Sequence, residues 1–244
     1  MSDFFANLSG VLADCPLFEG LSGDTVGQVL GCVKPVRRCF ENGAYVFNED
    51  DECSLLGIVL KGALHIIRDD YWGNRSIVAR LEAGMIFGEA FACAELKKMP
   101  VSVVAVERSE ILLLDFNRII KVCSNACEFH TRLIKNMVSN MAHKNVLLME
   151  KIECISQRNT RSKILSYLSI NAKQGNNAKQ GNAGHSNATR RKSAVIEIPF
   201  NRQELADYLS VDRSALSAEL CRMRDEGLLD FNKNKFHLRH SGAD

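Results

Sequence analysis

Four residues in a polar stretch near the C-terminus have the types and spacing that read bases: Arg213, Ser214, Ser217 and Ala218. A guanidinium is a planar fork that matches the O6 and N7 acceptors of guanine. The others are small or polar, whereas a purely structural helix pair would more usually place bulky or salt-bridging side chains there. Arg202, with Gln203 beside it, suits a phosphate contact, Asp212 can cap the helix that starts at Arg213, and Arg222 completes the set. A second candidate chemistry lies in "GMIFGEAF". Gly88 lets the backbone approach a ligand closely, and Glu89 at the mouth of the turn can hold a hydroxyl.

The elements that must position the first group are legible around it. Asn201 followed by Glu204 reads as a capping box for a short helix ending near Leu209, Ser210-Val211 is a tight turn, and "RSALSAELCRMRDEG" is a second helix closed by Gly227. Ala206, Leu209, Val211, Leu216 and Leu220 are the expected packing between the two. "LLDFNKNKFHL" alternates around an Asn-Lys-Asn turn as a hairpin does. Helix, short turn, helix and hairpin predict a winged helix-turn-helix whose second helix enters the major groove.

Gly88-Glu89 lies in a different kind of sequence. From about Val33 to Asp115, short Val/Ile/Leu-rich runs ("AYVF", "SLLGIVL", "ALHIIRD", "RSIVARL", "VSVVAV", "EILLLDF") are separated by Gly-containing or charged turns. Even spacing with such punctuation predicts an antiparallel sandwich or barrel. Residues 3–31 read as helical with a break at Cys15-Pro16. From Cys127 to Ile155 neither Gly nor Pro occurs, and Ile134, Met137, Met141, Leu148, Ile152 and Ile155 recur at helical spacing with Lys144 in the gap. This predicts a helix of roughly 40 Å that pairs with a second copy of itself. The stretch "NAKQGNNAKQGNAGHSNATRRKS", in which Ala-Lys-Gln-Gly-Asn occurs twice, predicts a flexible loop ending in the basic Arg190-Arg191-Lys192.

Composition bounds the function. Residues 1–150 hold 15 Lys/Arg and 19 Asp/Glu, and residues 151–244 hold 16 and 10. An acidic part joined to a basic one suggests a polyanion-binding module, with nucleic acid first. The start "MSDFFANLSGVLADCPLF" lacks the basic and apolar regions of a signal peptide, and no apolar run is long enough for a bilayer. The nine scattered cysteines then read as reduced thiols of a cytoplasmic protein. Neither a phosphate loop, a metal-ligand pair nor a nucleophile motif stands out, and the barrel segment contains only His65, too few for cupin-type metal chemistry. An enzyme is therefore not expected.

"CPLFEGL", "FGEAF" and above all "FNRQELADYLSVDRSALSAELCRMRDEGLL" resemble the Crp/Fnr family of transcription regulators, the family of the cyclic-AMP receptor protein. The resemblance implies an α+β chain with an effector-binding jelly roll of the cyclic-nucleotide-binding type (1–126), a dimerisation helix (127–155) and a winged helix-turn-helix domain (156–244). It implies a bacterial homodimer on an inverted-repeat operator that recruits or blocks RNA polymerase. It also makes Glu89 the acid that receives a ribose hydroxyl and puts the Arg-Ser pair that grips the cyclic phosphate at Met99-Pro100, followed by Val101 and Ser102. Met and Pro offer no donor, Lys97 and Lys98 are poor substitutes, and the facing residues Leu147, Leu148 and Met149 are apolar. The expectation is a retained pocket that does not take cyclic AMP, but an apolar or aromatic effector or none. A redox or haem sensor using Cys15, Cys123, Cys127, His65, His130 or His143 is one alternative, and a ligand-binding regulatory module without DNA activity is another.

Overall fold

The computed structural model describes residues 9–52, 54–120, 128–180 and 195–238. It forms two compact units, Met1–Asn145 and Val146–Asp244.

In the first unit, the short helix α1 (Ser9–Ala13), a 3-10 turn (Pro16–Phe18) and α2 (Gly23–Val33) precede eight strands among the described residues. These are β1 (Val36–Phe40), β2 (Tyr45–Phe47), β3 (Leu55–Lys61), β4 (Ala63–Asp69), β5 (Arg75–Glu82), β6 (Ile86–Phe87), β7 (Ser102–Ala105) and β8 (Ser109–Asp115). The five-residue helix α3 (Glu89–Cys93) follows β6, and α4 (Phe116–Ile120) follows β8. The strands make two antiparallel sheets, ordered β1-β8-β3-β6 and β2-β7-β4-β5, as the jelly-roll expectation requires. The polar, exposed β1 ("VRRCF") and the two-residue β6 are strands that apolar patterning does not reveal.

One sheet is covered on both faces, which explains why its strands read as apolar runs rather than alternations. Leu56, Ile58, Leu60, Ile86, Leu112 and Leu114 point into a cluster with Leu12, Leu17, Phe18 and Leu30 of the helical layer. Their neighbours Val59, Phe87 and Ile111 point the other way, into the barrel interior with Phe47, Leu64, Leu81 and Val103. His65 on β4 is also buried, 4% exposed, with its Nε2 3.4 Å from Arg80 Nη1. Burial, aided by the Arg80 charge, pushes its imidazole down from 6.5 to about 4. The folded state therefore holds His65 neutral where the unfolded chain would protonate it, and the stability it secures is full above pH 6.5 and lost as pH falls towards 4. At 1.36 kcal/mol per pKa unit the loss is about 3 kcal/mol. Thermal melts from pH 7 to 4 should show the drop in the wild-type chain and a shallower one in His65→Leu. An equal drop in both would assign it to other groups.

The long helix α5 (Glu128–Ile155) runs without a break across the division between the units. Its first half is fastened to the first unit. Asn136, 6% exposed, donates from Nδ2 to the carbonyls of Leu17 (3.0 Å) and Glu19 (2.9 Å), and Arg132 Nε donates to Glu19 O (3.2 Å). The "CPLFEGL" turn is thus the socket of α5.

Two expectations change here. Met137, 4% exposed, and Met141 pack with Leu133 into the core of their own unit and are not a free seam. The exposed apolar stripe keeps Leu148 and Ile152 of the expected one, but Val138 and Met149 lie one residue on from Met137 and Leu148, about 100° round the helix. It holds Val138, Met149 and Ile152, exposed by 59%, 69% and 59%, flanked by Val146 and Leu148. The sequence pattern fused two neighbouring faces of one helix. The flexible-loop expectation also fails at its start. Helix α6 (Thr160–Gln180) runs through the first Ala-Lys-Gln-Gly-Asn copy and into the second. Ala, Lys and Gln are good helix formers, and their summed propensity outweighs the roughly 1 kcal/mol cost of a single Gly. Arg190-Arg191-Lys192, Cys123 and Cys127 lie outside the described residues, as does the side chain of His130.

The second unit continues with β9 (Val195–Glu197), α7 (Arg202–Leu209), α8 (Arg213–Asp225), β10 (Leu229–Asn232) and β11 (Lys235–Leu238). The β10–β11 hairpin pairs Asn232 with Lys235 across a two-residue turn in which Lys233 has φ 52°. Strand β9 adds to its edge, and Asn234 ties the turn to Ile198 by N–H donation from Nδ2 and acceptance at its carbonyl.

Candidate functional site

The α7–α8 pair is built as its residues dictate. Asn201 Oδ1 accepts from Glu204 N (3.0 Å) while a Glu204 carboxylate oxygen accepts from Asn201 N (2.7 Å), so both orphan donors at the start of α7 are satisfied. Ser210 closes α7 at φ 52°, and Val211 N donates to Ala206 O. Asp212 then caps α8, accepting from the backbone of Ser214 (2.8 Å) and Ala215 (3.0 Å) and from the Ser214 hydroxyl. That hydroxyl, with the two amides, holds the Asp212 carboxyl below its usual range. Leu205, Ala206 and Leu209 of α7 and Leu216, Leu220 and Met223 of α8 are at most 1% exposed. Val211 is only half-buried.

The opposite side of α8 is open. Arg213, Ser214 and Ala218 are exposed and Ser217 is half-buried, so the residues with base-reading chemistry share one outer surface. Three others have structural partners. Gln203 Nε2 donates to Asp207 (2.8 Å). Arg222 Nη1 donates to Glu219 (2.6 Å). Arg202 is half-buried, its guanidinium carbon 4.9 Å from the Phe231 ring centroid and 5.7 Å from that of Phe236, so it braces the start of α7 against the hairpin.

The supports behind α8 come from α6. Arg161 Nε donates to Glu219 (2.6 Å) and its two terminal nitrogens to Glu226 (2.7 and 2.8 Å). Lys163 donates to the carbonyls of Leu209 and Ser210, which closes the C-terminal end of α7. Lys151 of α5 lies 4.3 Å from the Tyr208 ring centroid, and burial lowers its pKa to about 8. Ion pairs spanning 58 and 65 residues leave no local signal in a sequence.

In the first unit, Gly88 has φ 84°, and a Cβ there would lie 2.8 Å from Leu55 O, so the turn before Glu89 requires glycine. Glu89 is 1% exposed. Its Oε1 accepts from Lys144 Nζ at 2.5 Å and from Asn140 Nδ2 at 3.5 Å, and Lys144 also donates to Ile86 O at 2.6 Å. Met99, 2% exposed, fills the barrel interior among Phe47, Phe87, Val101 and Val103. Its backbone is stitched to the 50–51 loop by two 2.9 Å bonds. Pro100 and Lys97 are exposed, Lys98 pairs with Asp50, and the Ser102 hydroxyl accepts from Glu49 N. Leu147, Leu148 and Met149 belong to the second unit and are exposed there. Met99 and Pro100 supply no charge, and the nearest cation in the sequence, Lys98, is committed to a surface carboxylate. Sequence reading placed Lys144 only as a gap in an apolar stripe. A lysine in an apolar register position was the available signal.

Among the described residues no cluster of three or more His, Cys, Asp or Glu could hold a metal. Burial pushes the Cys15 thiol up to about 11, away from the thiolate that redox chemistry needs.

The cyclic nucleotide-binding domain family matches residues 37–126, and the Crp-like helix-turn-helix domain family matches residues 176–240. The cyclic AMP receptor protein of Thermus thermophilus is 32% identical over 99 residues, 41% of this chain and 44% of that protein, so the match spans less than half of the relative. Among solved structures, the regulator CLP of Xanthomonas campestris superposes with a TM-score of 0.69 at 16% identity, covering 90% of this chain and 100% of that one. A CooA variant from Carboxydothermus hydrogenoformans gives 0.66 at 19%, covering 91% and 88%. Likeness at such identities shows the fold, a jelly roll with a long helix and a helix-turn-helix domain. The chain thus carries a cyclic nucleotide-binding domain followed by a Crp-like helix-turn-helix domain, the domain order of Crp/Fnr-type regulators.

Proposed function

We propose that the protein is a sequence-specific DNA-binding transcription regulator, cytoplasmic, acting as a homodimer on an inverted repeat and through RNA polymerase. The observation that carries this reading is the open surface of α8. Arg213, Ser214, Ser217 and Ala218 stand on a helix whose other side is buried against α7, in the basic part of the chain. The exposed Val138–Met149–Ile152 stripe supports pairing of two α5 helices, and a two-fold pair reads a palindrome. The residues around Glu89 and Met99 support a regulator that does not answer to cyclic nucleotides. No catalytic role is proposed.

Selection of bound fragments from randomised DNA by the full chain tests the DNA reading, with an inverted repeat as the expected motif. No enriched motif would overturn it and favour a regulatory module without DNA activity. Calorimetry with cyclic AMP and cyclic GMP should show no binding. Micromolar or tighter affinity for either would refute the pocket reading.

A further inference from the structure

We infer that the effector site of the jelly roll is occupied by the chain itself, with Lys144 as the resident partner of Glu89, so that operator binding needs no small molecule there. The inference rests on the DNA-binding reading above and deepens it. A ligand in this site would need two things, an acceptor at Glu89 and room inside the barrel. Both are taken. Lys144 Nζ sits 2.5 Å from Glu89 Oε1 and makes its second hydrogen bond to Ile86 O, one turn of chain before the acid. Met99 fills the interior among Phe47 and Phe87.

Lys144 is the counter-ion of Glu89. The carboxylate is 1% exposed, and its Oε2 is buried with no hydrogen-bond partner among the described residues. The remaining neighbour, Asn140, is a neutral donor at 3.5 Å. A buried carboxylate without its counter-ion is strongly unfavourable. The pair therefore holds α5 to the β6–α3 turn whether or not any effector is present. Because α5 runs from Glu128 to Ile155 and bears the exposed apolar stripe, the pair fixes the helix on which that stripe stands. Any competing hydroxyl must displace an ammonium from a carboxylate, which makes Lys144 the residue that excludes ribose from this site.

The test compares the full-length wild type with Lys144→Met, Lys144→Arg and the double variant Glu89→Gln/Lys144→Met. Each protein is unfolded on a column, washed free of bound molecules, refolded, and titrated with the selected operator. Stripped wild type should bind within twofold of unstripped protein. Lys144→Met should lose at least tenfold in affinity, and hydrogen exchange in residues 136–148 should accelerate. Lys144→Arg should retain most of the binding. The double variant removes the buried charge, so it should regain the melting temperature of the wild type but not its affinity or its slow exchange. Recovery of affinity and slow exchange in the double variant would overturn the inference, because Lys144 would then only neutralise a charge. It would equally be overturned if stripped wild type lost binding and a small-molecule extract restored it, or if Lys144→Met left affinity and exchange unchanged. Failure of unstripped wild type to bind any DNA would count against the DNA reading instead, while the exchange comparison would still decide the tether.

Discussion

Replacing Met149 and Ile152 together with glutamate is expected to convert a dimer into a folded monomer. Both side chains are exposed, by 69% and 59%, so the substitutions remove nothing from the core of the single chain. In a two-fold pair of α5 helices each occurs twice, which puts four apolar side chains into the seam. Full burial of such a side chain is worth about 1.5–3 kcal/mol, so the seam loses on the order of 6 kcal/mol or more before the repulsion of four carboxylates. At about 1.4 kcal/mol per tenfold, the dissociation constant should rise by roughly four orders of magnitude. Sedimentation should find the variant monomeric at micromolar concentration with the helical content of the wild type. Met137→Glu makes the contrast. That residue is 4% exposed in its own unit, so the substitution should lower the melting temperature instead. A wild type that is already monomeric at micromolar concentration, or a double glutamate variant that stays dimeric, would remove the α5 seam.

Arg213→Ala is expected to erase one position of the operator. Arg213 is exposed on the first turn of α8, directly after the Asp212 cap, where side chains reach base edges. A bidentate guanidinium–guanine contact is worth about 1–3 kcal/mol of discrimination. Repeating the binding-site selection with the variant should flatten the preference for one guanine in each half-site and leave the others standing. Ser214 and Ser217 should contribute little selectivity. The Ser214 hydroxyl is engaged by Asp212, and Ser217 is half-buried. Arg202→Ala behaves differently. It should weaken all sequences alike, through loss of about one phosphate contact and through slackening of the hairpin it braces at Phe231 and Phe236. An unchanged half-site motif with Arg213→Ala, at merely lower affinity, would show that it does not read bases.

The sequence by itself determined the elements whose causes are local. The Asn201–Glu204 capping box, the Asp212 cap, the α7–α8 packing set and the wing hairpin all follow from residues within a few positions of one another, where propensity, capping and apolar period act. Six of the eight strands of the jelly roll were legible for the same reason, whereas the polar β1 and the two-residue β6 were not. The tertiary structure alone decided what depends on partners distant in the chain. Sequence period cannot say which of two adjacent faces of α5 meets its own core, because Met137 and Met149 are equally apolar and only the packing of α1, α2 and the 3-10 turn buries the first. Nor can it pair Lys144 with Glu89, or Arg161 with Glu219 and Glu226, across separations of 55, 58 and 65 residues. Glu89, 1% exposed, requires a cation at hydrogen-bonding distance, and in all three pairs the fold determines which cation in the chain arrives there.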